Sequence, residues 1–140
     1  MDGDAASVEQ AISGGDIHEL LKVWEDFNSG ETWCEVSVTG SDQAREAAAQ
    51  FLAGVREVAA LEALRANAKA VELLTARRWY VIKSAREAGA TWAQIGEALG
   101  ITKQAAHDFY RRKIEEQEKY LPDLHDAAVA RAVLDDVKED

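Results

Sequence analysis

Apolar residues recur at steps of three and four through most of this 140-residue chain. That spacing is one face of an α-helix. Turn signals separate the periodic stretches at Gly14-Gly15, Asn28-Ser29-Gly30, Gly40-Ser41-Asp42, Gly89, Gly100 and Pro122. Residues 7–12 predict a short first turn, with Ser7 and Gln10 spaced as a capping box. A longer helix is predicted over 17–27. Asp16 caps it, Glu19 completes a second box, and Ile17, Leu20, Leu21, Trp24 and Phe27 share a face. Residues 32–39 alternate instead: Cys34, Val36 and Val38 against Trp33, Glu35 and Ser37. This is the one stretch that reads as a strand. A lone strand cannot satisfy its own backbone groups. It therefore pairs with its copy in a second chain, pairs with another strand, or is an extended loop.

Residues 42–88 hold no proline and one glycine, Gly54. They are rich in strong helix formers. Phe51, Val55, Val58, Leu61, Leu64, Ala68, Val71 and Leu74 form an apolar stripe. As one helix this segment would span about 70 Å at roughly 1.5 Å per residue, longer than a compact domain of this size. Either it breaks, near Leu74-Thr75-Ala76, or it protrudes and pairs with another chain. At the far end, Leu121, Leu124, Ala128, Ala132 and Val133 predict a last helix, and Asp135 to Asp140 a frayed polar end.

The stretch 73–113 carries the densest set of boundary signals. Leu73, Trp79, Val81 and Ile82 lie on a basic helix that Gly89 should end with a left-handed cap. Thr91 and Gln94 make a capping box for a short helix, Trp92 to Leu99. Gly100 ends that helix. Thr102 can cap the next, which runs from Lys103 to about Tyr120.

Residues 92–111, Trp-Ala-Gln-Ile-Gly-Glu-Ala-Leu-Gly-Ile-Thr-Lys-Gln-Ala-Ala-His-Asp-Phe-Tyr-Arg, resemble the helix-turn-helix DNA-binding superfamily. Ile95, Gly96, Leu99, Gly100 and Ile101 fill its apolar, small, apolar, turn-glycine and apolar places, and Ala106 and Phe109 its later buried ones. Gly96 stands where the family usually carries alanine. The unit 76–113 is also similar to the promoter-reading domains of sigma factors and to small bacterial and phage regulators. The resemblance implies a tri-helical unit whose third helix lies in the major groove, its N-terminal part at base edges. Lys103, Gln104, His107, Asp108 and Arg111 would then read bases. Arg77, Arg78, Thr91, Thr102, Arg112 and Lys113 would hold phosphates. Trp92 and Tyr110 read equally well as core aromatics, and Asp108 as an intrahelical partner of Arg111 or Arg112.

Composition limits the remaining possibilities. At 47% hydrophobic and 30% charged, with one proline and nine glycines, the chain is a folded protein. No apolar run approaches the roughly 18 residues of a membrane helix, and the acidic start lacks the features of a signal peptide. A cytoplasmic, nucleoid-associated location is expected. The lone Cys34 excludes an internal disulfide and is expected as a small core residue.

The net charge is −10, which speaks against nucleic acid until it is divided along the chain. Residues 1–75 hold five Lys/Arg and fourteen Asp/Glu, and residues 121–140 two and six. Residues 76–113 hold eight Lys/Arg and three Asp/Glu, a local excess of five positive charges. Salt screens the acidic parts beyond about 10 Å. His18, His107 and His125 fall on separate elements with no ligand spacing, and no nucleophile motif or phosphate-cradling loop is present, so an enzyme is not expected and no cofactor is implied.

The reading is a mainly α chain in three parts. Residues 1–75 are an acidic dimerisation or partner-binding region that carries the one short strand. Residues 76–120 are the tri-helical helix-turn-helix unit, with a long helix before it. Residues 121–140 are an acidic helix or tail. The expected function is a homodimeric regulator of transcription, most simply a repressor, that reads double-stranded DNA. The alternatives are a protein-binding module on the same scaffold, such as an antitoxin or polymerase binder, and a DNA-binding replication or segregation protein.

Overall fold

The computed structural model describes residues 2–121, 123 and 126–134. These residues are mainly helical, and no strand occurs among them. The helices are α1 (Asp2–Gly14), α2 (Ile17–Thr39), α3 (Asp42–Gly54), α4 (Ala60–Ala76), α5 (Arg78–Glu87), α6 (Trp92–Leu99), α7 (Lys103–Tyr120) and α8 (Ala127–Ala132). The chain divides into two compact units, Met1–Leu74 and Thr75–Asp140. No helix among the described residues is long and apolar enough to cross a membrane.

The predicted strand is a correction. Residues 32–39 are the last third of α2, and the turn expected at Asn28-Ser29-Gly30 lies inside the same helix. The polar side chains of this stretch return to the helix backbone. The Asn28 amide donates to the Trp24 carbonyl (2.8 Å), the Thr32 hydroxyl to Asn28 (3.0 Å), Ser37 to Cys34 (2.6 Å) and Thr39 to Glu35 (2.9 Å). Such bonds satisfy hydroxyl and amide groups without leaving the helix. Packing supplies the rest: Trp33 stacks on Phe51 of α3, ring centres 5.1 Å apart. Tertiary contact thus overrides β-propensity. Cys34 is exposed on this helix rather than buried.

Asp16 caps α2 as expected, its carboxylate accepting from the His18 and Glu19 amides. The first helix starts earlier than expected, so Ser7 sits within α1 rather than at its cap. Residues 42–88 form three helices. The break at Arg77 falls close to the expected place, but a second break at 55–59 has no proline to announce it. Val55 is extended, the Glu62 carboxylate accepts from the Ala59 amide (3.0 Å), and Arg56 pairs with Asp26 of α2 at 2.9 Å.

The first core gathers Val8, Ala11 and Ile12 of α1, Leu20 and Val23 of α2, Val58, and Ala63, Ala66 and Ala70 of α4. Ile17, Trp24, Phe27 and Leu73 pack at its edge. The Arg65 guanidinium forks onto Glu9 (3.0 and 3.1 Å) and holds that carboxyl below the usual carboxylate range. The stripe expected inside is turned out on α4. Leu61 is 74% and Leu64 57% exposed, while the alanines face the core.

The second core joins Ile82, Trp92, Ile95, Ala106, Tyr110, Ile114, Ala130, Val133 and Leu134. The last helix therefore belongs to this unit. Its Ala130 and the following Val133 are buried, whereas Leu121, Ala128 and Ala132 are exposed. The expectations for Pro122, Leu124, His125 and Asp135–Asp140 fall outside the described residues. Tyr110 is fully buried, and its hydroxyl donates to the Ala130 carbonyl at 2.7 Å. Burial, with the Glu87 carboxylate adding to it, pushes this phenol up to about 12. Arg131 forks onto Glu118 (2.6 and 2.9 Å) and ties α8 to α7.

Candidate nucleic-acid interface

The local cations lie on α5, with Arg77 at its cap, and on α7, with the uncharged-to-acidic α6 between them, and the boundaries of all three helices follow local chemistry. The turn after α5 closes through Gly89 at φ +98°, with its amide bonded to Arg86 and that of Ala90 to Ala85 (both 2.9 Å). The turn after α6 repeats the pattern with Gly100 at φ +68°, where the amides of Gly100 and Ile101 reach Glu97 (3.1 Å) and Gly96 (2.9 Å). Both are Schellman closures, and the left-handed residue in each is glycine because a Cβ would strain it. Thr91 and Gln94 form the complete capping box on α6. The Thr102 hydroxyl caps α7 by accepting from the Ala105 amide at 3.0 Å.

Between these caps α6 approaches the turn very closely. A Cβ on Gly96 would lie 2.8 Å from the Ile101 carbonyl oxygen and 3.0 Å from the Lys103 nitrogen. Those atoms are backbone, so they cannot swing aside as a side chain would. The departure from alanine at this position thus has a steric cause here. Ile95 and Ala106 are buried as expected, Leu99 and Phe109 are half-buried, and Ile101 remains 42% exposed.

Trp92 and Tyr110 are core aromatics, 2% and 0% exposed. Arg86, the one buried charged residue among the described residues, was not singled out from the sequence. Its guanidinium donates to the Ala90 carbonyl (2.9 Å) and lies over the Trp92 ring, 5.1 Å from its centre. A signal existed: Arg86 falls four residues after Ile82, on the apolar side of α5. Lys83 is bonded to Glu87 at 2.6 Å. Lys83 and Arg86 are therefore held within the fold.

Of the other six local cations, Arg78 and Lys113 are half-buried and the rest are exposed. Lys103, Gln104, Arg111 and Arg112 are exposed on α7. Asp108 sits among them. Its carboxylate accepts from the Gln104 amide (3.0 Å) and pairs with Arg111 (3.2 Å), the intrahelical alternative read from the sequence. His107 points inward instead. It is half-buried, with its ring edge on Trp92, centres 5.0 Å apart, and its Nδ1 is enclosed. Arg77 is exposed beside Tyr80, Arg78 reaches over the Phe109 ring, and Lys113 pairs with Glu116 at 3.4 Å. The Thr91 and Thr102 hydroxyls are used by their own helices as caps.

Charge along α7 is strongly polarised. Its first eleven residues hold Lys103, Arg111, Arg112 and Lys113 against Asp108 alone, and its remainder holds Glu115, Glu116 and Glu118 against Lys119. The helix dipole adds positive potential at the same end. The surface is thus a short cationic helix half with adaptable amide and guanidinium donors, held rigidly from behind by an aromatic core. Such a surface can hydrogen-bond to base edges and phosphates. No family model, curated protein or solved structure matches the chain.

Proposed function

We propose that the chain is a sequence-specific DNA-binding regulator of transcription, a repressor acting as a homodimer, with residues 103–113 in the major groove. One observation carries the reading. Short helix α6 packs so closely on the turn before α7 that a Cβ on Gly96 would lie 2.8 Å from the Ile101 carbonyl oxygen, and α7, seated on the core by Ala106 and Tyr110, keeps Lys103, Gln104, Arg111 and Arg112 exposed. Lys103, Gln104, Asp108 and Arg111 are the base readers, with Lys and Arg suited to guanine, Gln to adenine and Asp to cytosine. The Gln104–Asp108–Arg111 chain must open for this, exchanging internal bonds for bonds to bases. His107 reaches a base only if its ring leaves Trp92. Arg77, Arg78, Arg112 and Lys113 steady the backbone, and Thr91 and Thr102, at the starts of α6 and α7, stand beside the phosphates.

The test is fluorescence anisotropy on a duplex selected from a randomised pool, at two salt concentrations. Arg111→Glu abolishes binding while its circular-dichroism spectrum stays unchanged. Unchanged affinity in the folded variant removes the site assignment. The second reading, a protein-binding module, is favoured by the fourteen acidic residues among the first 75. It predicts no salt-dependent affinity for any duplex.

A further inference from the structure

We infer that the outward face of α4 is where two copies of this chain meet. The helix is inverted relative to ordinary burial: Ala63, Ala66 and Ala70 face the core, while Leu61, Leu64, Val71 and Leu74 are 51–74% exposed. Large apolar side chains are normally the ones taken inside. Leu61, Leu64, Ala68 and Val71 follow a three-four-three spacing, the seam of two paired helices. Exposed Ala68 at its middle leaves room for close approach.

Charge selects the occupant. The seam helix carries Glu62, Arg65, Lys69 and Glu72 and is neutral, whereas residues 1–59 hold three Lys/Arg and twelve Asp/Glu. A strongly charged partner would leave its charges unpaired against the neutral strip, and the acidic residues of a second copy, screened by salt beyond about 10 Å, weaken the pairing without forbidding it. A second copy meets the neutral strip with a neutral strip. The area sets the strength. A 17-residue helix is about 25 Å long and offers a strip roughly 10 Å wide. Two strips bury about 500 Å², below the roughly 1,000 Å² of a stable interface. The pairing is therefore weak and reversible, as suits two copies brought together on one DNA site. In that respect the inference rests on the proposed DNA-binding function.

Sedimentation equilibrium of the full chain tests it. The apparent mass rises from 15.3 kDa toward twice that value between about 10 µM and 1 mM, the range expected of a weak contact. Leu64→Glu keeps its circular-dichroism spectrum and stays at the single-chain mass. A trapping experiment reads the same contact independently of affinity. In a Cys34→Ser background, Ala68→Cys oxidises to a disulfide dimer much faster than Glu46→Cys on α3. A wild-type chain that stays monomeric at about 1 mM, an unaffected Leu64→Glu dimer, or equal rates for the two cysteines overturns the assignment. Affinity for a single half-site, measured alongside, is unchanged in Leu64→Glu. Loss of that affinity in the wild type would fault the DNA reading and leave the contact standing.

Discussion

Gly96→Ala opposes two physical effects of different sign. Within a helix, alanine is favoured over glycine by about 1 kcal/mol. Gly96 lies inside α6, so propensity alone predicts stabilisation. The new Cβ, however, would sit 2.8 Å from the Ile101 carbonyl oxygen and 3.0 Å from both the Lys103 nitrogen and the Thr102 carbonyl carbon. Relieving that crowding means moving the turn. The turn holds the Ile101-to-Gly96 bond and the Thr102 cap, each worth about 1 kcal/mol. Overpacking a rigid site costs about 1–3 kcal/mol. The net is a loss of about 1–2 kcal/mol, a urea midpoint lower by about 1 M. Gly30→Ala is the matched control. It sits inside α2 with nothing within 4 Å of its added Cβ, and it should gain the propensity term, about 1 kcal/mol. Urea unfolding of both variants, followed by circular dichroism, gives opposite signs. A stabilised Gly96→Ala chain would refute the close approach, and with it the rigid mounting of α7.

Other outcomes follow from the same contacts. Arg56→Leu leaves the Asp26 carboxylate, 17% exposed, without its ion partner. It should cost about 3 kcal/mol, and Asp26→Leu added to it should restore much of the loss in a double-mutant cycle. Tyr110 ionises near pH 12 in the folded chain and near 10 when unfolded, so the unfolded state loses its proton first and stability falls as pH rises through that window. Tyrosinate absorbance shows a late step that Tyr110→Phe removes. On the proposed DNA-binding function, four phosphate contacts per copy (Arg77, Arg78, Arg112 and Lys113) predict a slope of log affinity against log salt of about −3.6 per copy. Replacing Arg112 by alanine lowers its magnitude by about 1.

The second unit was the more legible in sequence because short-range chemistry sets its boundaries. Thr91 with Gln94, Thr102, Gly89 and Gly100 each act within a few residues, and each stands where the spacing places it. The first unit follows longer-range causes. Residues 32–39 have the alternation of a strand, and only the stacking of Trp33 on Phe51 and the back-bonded hydroxyls explain why they are helical. The break at 55–59 depends on Asp26, thirty residues away, and on the Glu62 side chain. Periodicity found the stripe on α4 but could not tell its sides apart, because alanines and leucines both read as apolar. In the candidate site, residue type identified the exposed donors of α7. It did not identify Arg86 or the inward turn of His107, since both are fixed by the Trp92 ring.

On the proposed DNA-binding function, the charge reversal along α7 bounds how much sequence one copy can distinguish. The cationic half covers eleven residues, about 16 Å of helix at 1.5 Å per residue. That length matches about five base pairs at 3.4 Å each. Five fully specified pairs define one sequence in about a thousand, so a lone copy would meet its target by chance in nearly every gene-sized stretch of DNA. Two copies together specify about ten pairs, one sequence in about a million. On the DNA-binding reading, the acidic second half of α7 therefore makes pairing an informational requirement as well as an energetic one. A single recognition helix this short can grip DNA, but only two can name an address.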